Sequence, residues 1–234
     1  MTATLRLQAC DRAEGFIERG RLIRKRCGDG HEHACLLAAM VPACAEKSSS
    51  GVCPAEVMPA WLAYLTPWID DSGSIKKWPE MIRRYVGLMR RSVVLTERDW
   101  SLLNFRCRAV FVREARTHAK DEGVLAAIDK VIGLLDRAGC GEDVPQADFD
   151  AVADEASSAA IAAWDRYWAA AAEEAARAVA RAVARAVAVA AEEAARAVAV
   201  ARAEAEAAAE ASDRMIDGVL AAMETMIVER EIAA

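Results

Sequence analysis

Long apolar runs are missing from this chain, and so are the common signatures of enzymes that handle phosphate or acyl groups. The longest uncharged apolar stretch, VMPAWLAYLTPWI (57–69), has 13 residues and internal prolines. A membrane-spanning helix needs about 20, so no span and no membrane partner are expected. The N-terminal stretch MTATLRLQACDRAEGF reaches an acid at position 11 without an apolar signal core, which argues against export by that route. No phosphate-cradling glycine loop, no G-x-S-x-G and no dinucleotide fingerprint occurs. Helix breakers are equally scarce, with Gly 12 and Pro 6 in 234 residues and aromatics at 6%. β-Branched residues are few outside the Val-rich C-terminal part. Helix is therefore favoured almost everywhere. The 55% apolar fraction rests largely on Ala, which buries little area per residue.

Histidine is the next shortage, with 3 in the chain. His118 sits near an expected helix end beside Lys120, and nothing local joins it to Cys107 as a nucleophile–base pair. The adjacent acids Asp70-Asp71, Glu173-Glu174 and Glu192-Glu193 do not face one another on a helix and read as solvated faces. No catalytic residue is assigned, and the chain is expected not to be an enzyme. Cysteine is present but unframed: the 7 are an odd number, spread from Cys10 to Cys140. Reduced thiols in a cytoplasm fit that distribution best.

One stretch has the residue types of a metal site. RCGDGHEHACLLAAMVPAC (26–44) brings Cys27, His31 and Cys35 at a spacing of four, with His33, Cys44 or Cys53 as a further ligand. Zinc takes Cys and His in tetrahedral sites. Against this, Gly28 and Gly30 interrupt a helix across 27–35, and no second ligand pair follows at finger spacing. The stronger reading is a helix start near His31, running to about Glu46 and ending or kinking at Pro42. His31 and His33 then occupy its exposed first turn, and Cys35 opens the core with Leu36, Leu37 and Met40. No cofactor is assigned.

The net charge of −6 conceals a division. Residues 1–146 carry 22 Lys and Arg against 19 acids, whereas 147–234 carry 8 against 17. The two parts can attract one another or choose different partners. Basic rows lie in the first part. Arg83-Arg84 and Arg90-Arg91 are seven apart and share a helix side, after Lys76-Lys77; Arg106, Arg113 and Arg116 form a second row, and RGRLIRKR (19–26) a third. Such rows can meet phosphates or cover the acidic C-terminal helices. The Arg83/Arg84/Arg90/Arg91 face is the candidate partner-binding surface, and a sequence pI near 5.3 weighs against a nucleic-acid partner.

Apolar spacing predicts helices over Gln8–Lys25, over the segment after Pro59 with Trp61, Leu62, Leu65 and Trp68 on one face, and over Met81–Met89 with Ile82, Tyr85 and Leu88. Thr96-Glu97-Arg98-Asp99 is a helix-start signal with an acid three residues on, for a helix reaching about His118. Another covers Val124–Arg137 and stops at Gly139. From Gln146 to Asp217 there is neither Gly nor Pro over 72 residues, and AAEEAARAVA occurs at 171–180 and again at 190–199. Glu173 with Arg177 and Glu192 with Arg196 are favourable i, i+4 pairs. The Val179, Val183, Val187 tetrads advance by about 40° per repeat and wind around the helix, which disfavours a regular coiled coil. Two or more antiparallel helices, broken near Ser157-Ser158 or Ser212-Asp213, are expected. The last segment presents Met215, Ile216, Val219, Leu220, Met223 and Ile227 as an apolar stripe that needs cover from the N-terminal helices or from a second subunit.

The order of these features, CPAEVMPAWLAYLTPWIDDSGS followed by KWPEMIRRYVGLMRR, RCRAVFVREARTH, LLDRAG, the Ala-rich array and DRMIDGVLAAMETMI, resembles alanine-rich helical proteins of phages, prophages and actinobacterial or proteobacterial genomes, some labelled immunity proteins. The resemblance spans most of residues 30–234. It implies a helical protein of phage or defence context and carries over no catalytic residue. The expectation is thus an all-α, cytoplasmic protein, a bundle over 1–140 and an Ala-rich region over 147–234 ending in an amphipathic helix. It works by binding another protein, as an immunity or counter-defence factor. The rival readings are a nucleic-acid binder and a structural protein that self-assembles through its C-terminal helices.

Overall fold

Glycine sets the first helix boundary. In the computed structural model, which describes residues 2–24, 32–44, 57–156, 158 and 190–233, helix α1 spans Ala3–Glu18 and ends where Gly20 adopts φ 65°. The Gly20 N–H donates to Ile17 C=O at 3.1 Å and the Arg21 N–H to Phe16 C=O at 2.9 Å, the paired closure of a Schellman motif. The helix expected over Gln8–Lys25 therefore starts earlier and stops at Glu18.

The chain leaves α1 extended. Ile23 N–H reaches Ala34 C=O at 2.9 Å and Ala34 N–H reaches Arg21 C=O at 3.2 Å, making an isolated parallel bridge between Leu22 and Ala34. That bridge delays the next helix: α2 is only Leu36–Met40, not His31–Glu46. A 3₁₀ turn, Pro42–Cys44, follows, because Pro42 has no N–H with which to continue the ladder.

Helix α3, Ala60–Asp71, is capped by Pro59 and runs through Pro67. Its buried face is Leu62, Ala63, Thr66, Ile69 and Asp70. Of the expected Trp61/Leu62/Leu65/Trp68 face Leu62 is buried, while Trp61, Leu65 and Trp68 are half-buried because the face is rotated towards Thr66 and Asp70. Thr66 and Asp70 tolerate burial because each is bonded. The Thr66 hydroxyl lies 2.8 Å from Leu62 C=O and 2.7 Å from the Tyr85 hydroxyl. Helix α4, Trp78–Arg91, buries Met81, Ile82, Tyr85, Leu88 and Met89 as its spacing predicts. Helices α5, Glu97–His118, and α6, Glu122–Gly139, follow. α6 closes on Gly141 at φ 91°, so Gly139 is still helical. Residues 146–156 are helical, and α7 runs from Ala190 to Ala233.

Among the described residues every regular element is helical, and the protein is all-α. No helix there is long and apolar enough to cross a membrane. The break expected at Ser212-Asp213 is absent, since α7 passes through both. Ser157 and the 171–180 repeat lie outside the described residues, as does most of the array whose antiparallel packing was expected.

The chain divides into two compact units, Met1–Val110 with Ala209–Ala234, and Phe111–Ala208. This division departs from the 1–140/147–234 partition, because the C-terminal stripe joins the N-terminal helices. In the first unit α1 packs on α2 and α4, and α2 on α3. Ile216, Val219, Leu220, Met223 and Ile227 are fully buried there, joined by Met226, with Met215 at the edge. Lys77 at the N-cap of α4, and Arg84 and Arg91 on it, meet Asp213 and Asp217, Asp217 and Glu224, and Glu231 respectively. Both rows ascend at heptad spacing, so along this ladder α4 and α7 run in the same direction. In the second unit Arg113 pairs with Asp136 and Arg116 with Asp129, joining α5 to α6 in opposite directions.

Two glycines separate packing from propensity. A Cβ at Gly218 would stand 2.6 Å from Val110 Cγ1, whereas one at Gly87 meets nothing within 4 Å. Gly87→Ala should raise stability by up to about 1 kcal/mol through helix propensity. Gly218→Ala should lower it by about 1–3 kcal/mol through overpacking against a stiff β-branched side chain. Denaturant midpoints of the two variants check this, and equal shifts of one sign would refute the close approach of α7 to α5.

Candidate interaction cleft

The start of α5 is set by a capping box. Thr96 donates its N–H and its hydroxyl to Asp99 Oδ2 at 2.9 and 2.7 Å, and Asp99 N–H returns to Thr96 Oγ1 at 3.3 Å. Asp99 is fully buried, and Arg230 from α7 closes on its other oxygen. Burial pushes the Asp99 carboxyl up, but the Thr96 bonds and Arg230 outweigh it and hold it below the ordinary carboxylate value.

This cap fixes the first turns of α5 against the start of α3, and between them opens a cleft of about 600 Å³ lined by Pro59, Trp61, Glu97, Trp100, Ser101, Asn104 and Phe105. The Trp61 and Trp100 rings are 6.4 Å apart and tilted by 60°. Beneath the cleft the buried Arg6 guanidinium sits 5.1 Å from the Trp100 ring centre. It donates to Val57 C=O at 3.0 Å and to Ser92 C=O at 2.6 Å. Ser101 Oγ donates to Glu97 C=O at 3.1 Å and Asn104 Oδ1 accepts from Arg108 at 3.2 Å. Glu97 is the charged group of the lining, and it makes no ion pair among the described residues. The buried Trp100 indole N–H finds no acceptor there either. Aromatic walls and a few polar groups are the usual make-up of a ligand or partner pocket.

The candidate arginines are largely occupied within the chain. Arg84 and Arg91 face α7, at 3.1 Å from Glu224 and 2.8 Å from Glu231. Arg90 turns the other way, to Asp11 and Glu14 of α1 at 2.5 and 2.7 Å. Arg83 is exposed and donates to Pro79 C=O at 3.3 Å. The four do not form one surface. Arg106 likewise meets Glu229. Arg24 of the third row bonds the Asp70, Ser72 and Gly73 carbonyls.

Of the zinc candidates, Cys27 and His31 lie outside the described residues. His33 is exposed and precedes α2 instead of lying in its first turn, while Cys35 is the half-buried cap residue of α2. No group of three metal-ligating side chains occurs among the described residues. Cys107 is buried in apolar surroundings that push its thiol up to about 12, and burial likewise pushes Cys10 to about 11, so neither is an activated thiolate. His118 lies eleven residues along α5 from Cys107, roughly 16 Å on a helix, and meets Glu114 at 3.3 Å.

Among the described residues, four buried charged ones escape a reading of the sequence that treats charges as surface: Arg6, Asp70, Asp99 and Asp213. Asp70, expected in a solvated acidic pair, is 1% exposed. A signal was present. Each falls on its helix's apolar stripe: Arg6 with Cys10 and Ala13, Asp70 with Leu62 and Thr66, Asp99 with Leu103 and Cys107, Asp213 with Ile216 and Leu220. A charge at a stripe position marks an internal partner. Asp70 accepts from Leu36 N–H at 2.9 Å and Trp78 Nε1 at 3.0 Å, tying α2, α3 and α4 together. Asp213 accepts from Ser74 N–H at 2.8 Å, which ties α7 to the α3–α4 turn.

Compared with protein-family models, curated proteins and solved structures, the chain matches none.

Burial is the main cause that raises the Asp70 carboxyl to about 6, against the Leu36 and Trp78 bonds that lower it. Because the folded state then holds the proton more tightly than the unfolded chain, this group's contribution is greatest below about pH 4 and falls as pH rises to about 6. Relative to wild type, Asp70→Asn should therefore gain on the order of 2 kcal/mol between pH 4 and pH 7. Urea titrations of both proteins at the two pH values measure that difference, and a difference independent of pH would rule out the raised carboxyl.

Proposed function

We propose that this protein is a non-enzymatic binding factor, acting in the cytoplasm, and that its partner protein docks in the aromatic cleft between α3 and α5. The observation that carries the reading is the cleft itself, about 600 Å³ with Trp61, Trp100 and Phe105 in its walls. Large aromatic side chains in a partly enclosed site supply most of the energy of protein interfaces. The remaining titratable groups support the same reading, since the buried carboxylates are held by backbone and cap bonds and burial raises the thiols of Cys10 and Cys107.

In its most concrete form, taken from the resemblance to alanine-rich phage and prophage proteins, the factor gives immunity or counter-defence by blocking another protein through surface contact. A nucleic-acid partner has less support, because Arg84, Arg90 and Arg91 already face carboxylates of this chain. Self-assembly through the terminal stripe is also less favoured, since that stripe is covered by the chain's own helices.

The test uses the full chain as bait against an extract of its native cells, beside Trp61→Ala and Phe105→Ala forms that keep the wild-type circular dichroism. We expect a stoichiometric protein that either substitution reduces at least tenfold, with little change from Arg83→Ala. Retention of nucleic acid that disappears steeply with salt, or protein capture indifferent to the cleft, would overturn the reading.

A further inference from the structure

A second pocket, of about 160 Å³, lies where the end of α1 meets the first turns of α4. Ile17, Leu22, Trp78 and Ile82 give it apolar walls, and Arg83 is its one charged lining residue. It shares no lining residue with the α3–α5 cleft. The turn after α1 makes the space. Gly20, also in the lining, closes the helix at φ 65°, and a Cβ there would meet nothing within 4 Å. The bridge to Ala34 then fixes Leu22 in the extended segment that follows. On the α4 side Pro79 has no N–H to offer, so that wall is apolar in its backbone as well.

The walls leave one polar side chain for a ligand. Trp78 gives its indole N–H to the buried Asp70 at 3.0 Å, and Arg24, 5.9 Å from the Trp78 ring centre, offsets that carboxylate. Arg83 is exposed, and among the described residues it bonds only the Pro79 C=O, at 3.3 Å. The exposed acids Glu18 and Glu80 are sequence neighbours of Ile17 and Pro79 but do not line the pocket. A cation would be repelled by Arg83, and a neutral apolar molecule would leave its charge unused. An anion with an apolar body satisfies both.

We infer that this pocket binds a small free monocarboxylic acid, its apolar body between Ile17, Leu22 and Ile82 and its carboxylate paired with Arg83. The size sets the body: an apolar cavity of about 150 Å³ takes one benzene ring. Carboxylate suits the head group, because a guanidinium matches it in a planar fork. Inorganic phosphate would lose its hydration against these apolar walls for a single countercharge. A pocket of about 160 Å³ has room for one ring, whereas the cleft of about 600 Å³ has room for a segment of chain. The occupant is therefore a free acid more than the end of a polypeptide. This site stands apart from the partner's docking cleft, and neither depends on the other.

The test follows isoleucine methyl signals in methyl-labelled full-length protein at fixed ionic strength, with Ile17→Val and Ile82→Val identifying the two that line the pocket. The probes are benzoate, its neutral analogue benzamide, and acetate, which has the charge without the body. We expect benzoate to shift both methyls saturably at millimolar concentration, as suits so small a ligand. Benzamide should bind about fivefold more weakly, and acetate should give no saturable shift. Arg83→Gln, an exposed change that leaves the walls intact, should bring benzoate down to the benzamide level and leave benzamide unchanged. Equal binding of benzoate and benzamide, binding of benzoate unchanged in Arg83→Gln, acetate as tight as benzoate, or no shift of either methyl would overturn the inference. Acetyl-Gly-Phe with a free carboxylate is the last probe. Binding more than about tenfold tighter than 3-phenylpropionate would assign the pocket to a chain end and overturn the free acid.

Discussion

The first compact unit depends on covering one apolar stripe, Ile216 to Ile227 at the end of α7. Side chains of that kind contribute about 1.5–3 kcal/mol each when fully buried, and five of the six expected stripe residues are. Burying them commits residues 209–233 to the N-terminal helices. The rest of the register follows. Gly218 lets α7 approach α5 at Val110. Asp217, Glu224 and Glu231, seven apart, come to rest beside Lys77, Arg84 and Arg91, also seven apart. Exposed pairs of this kind are worth only about 0.2–1 kcal/mol each, so the ladder sets direction and register more than it supplies stability.

From that contact a line of causes leads to the cleft. Once α7 is seated, Arg230 meets Asp99, and Asp99 together with Thr96 defines where α5 begins. The start of α5 in turn places Glu97, Trp100, Ser101, Asn104 and Phe105 opposite Pro59 and Trp61. On the far side, Arg6 packs under Trp100 and anchors to Ser92 and Val57. The α3–α4 turn is held from two sides, by Asp70 and by Asp213. A carboxylate taken out of water is tolerated only where N–H groups or cations replace the lost hydration, and each of these has them.

The basic rows show how charge can mislead when read without packing. Arg83-Arg84 and Arg90-Arg91 share a helix side in projection, yet neighbouring helices lie on both flanks of α4, and Arg90 and Arg91 turn to different ones. The same sign division between the halves of the chain that permits an external partner also permits self-pairing. Self-pairing across that division is what the fold displays at Arg84, Arg91 and Arg106, while Arg90, Arg113 and Arg116 pair with acids of their own N-terminal part.

Much of the architecture was legible in the residues alone. Scarce Gly and Pro, the threefold and fourfold apolar spacing of Met81 to Met89 and of Ile216 to Ile227, and the Thr96–Asp99 box all specify helices through short-range physics that needs no knowledge of the fold. The ends that failed were those set by distant groups. Leu22 pairing with Ala34 shortened α2, partners for Thr66 and Asp70 rotated the face of α3, and the Ser74 N–H allowed Asp213 to sit inside an unbroken α7. The sequence by itself determined that the chain is helical and which stripes must be buried, because propensity and periodicity are local. Only the tertiary structure decided which helices cover those stripes, which arginines are already paired, and that Trp61, distant in sequence, shares a cleft with Glu97 and Trp100, because such juxtapositions depend on how the stripes pack together.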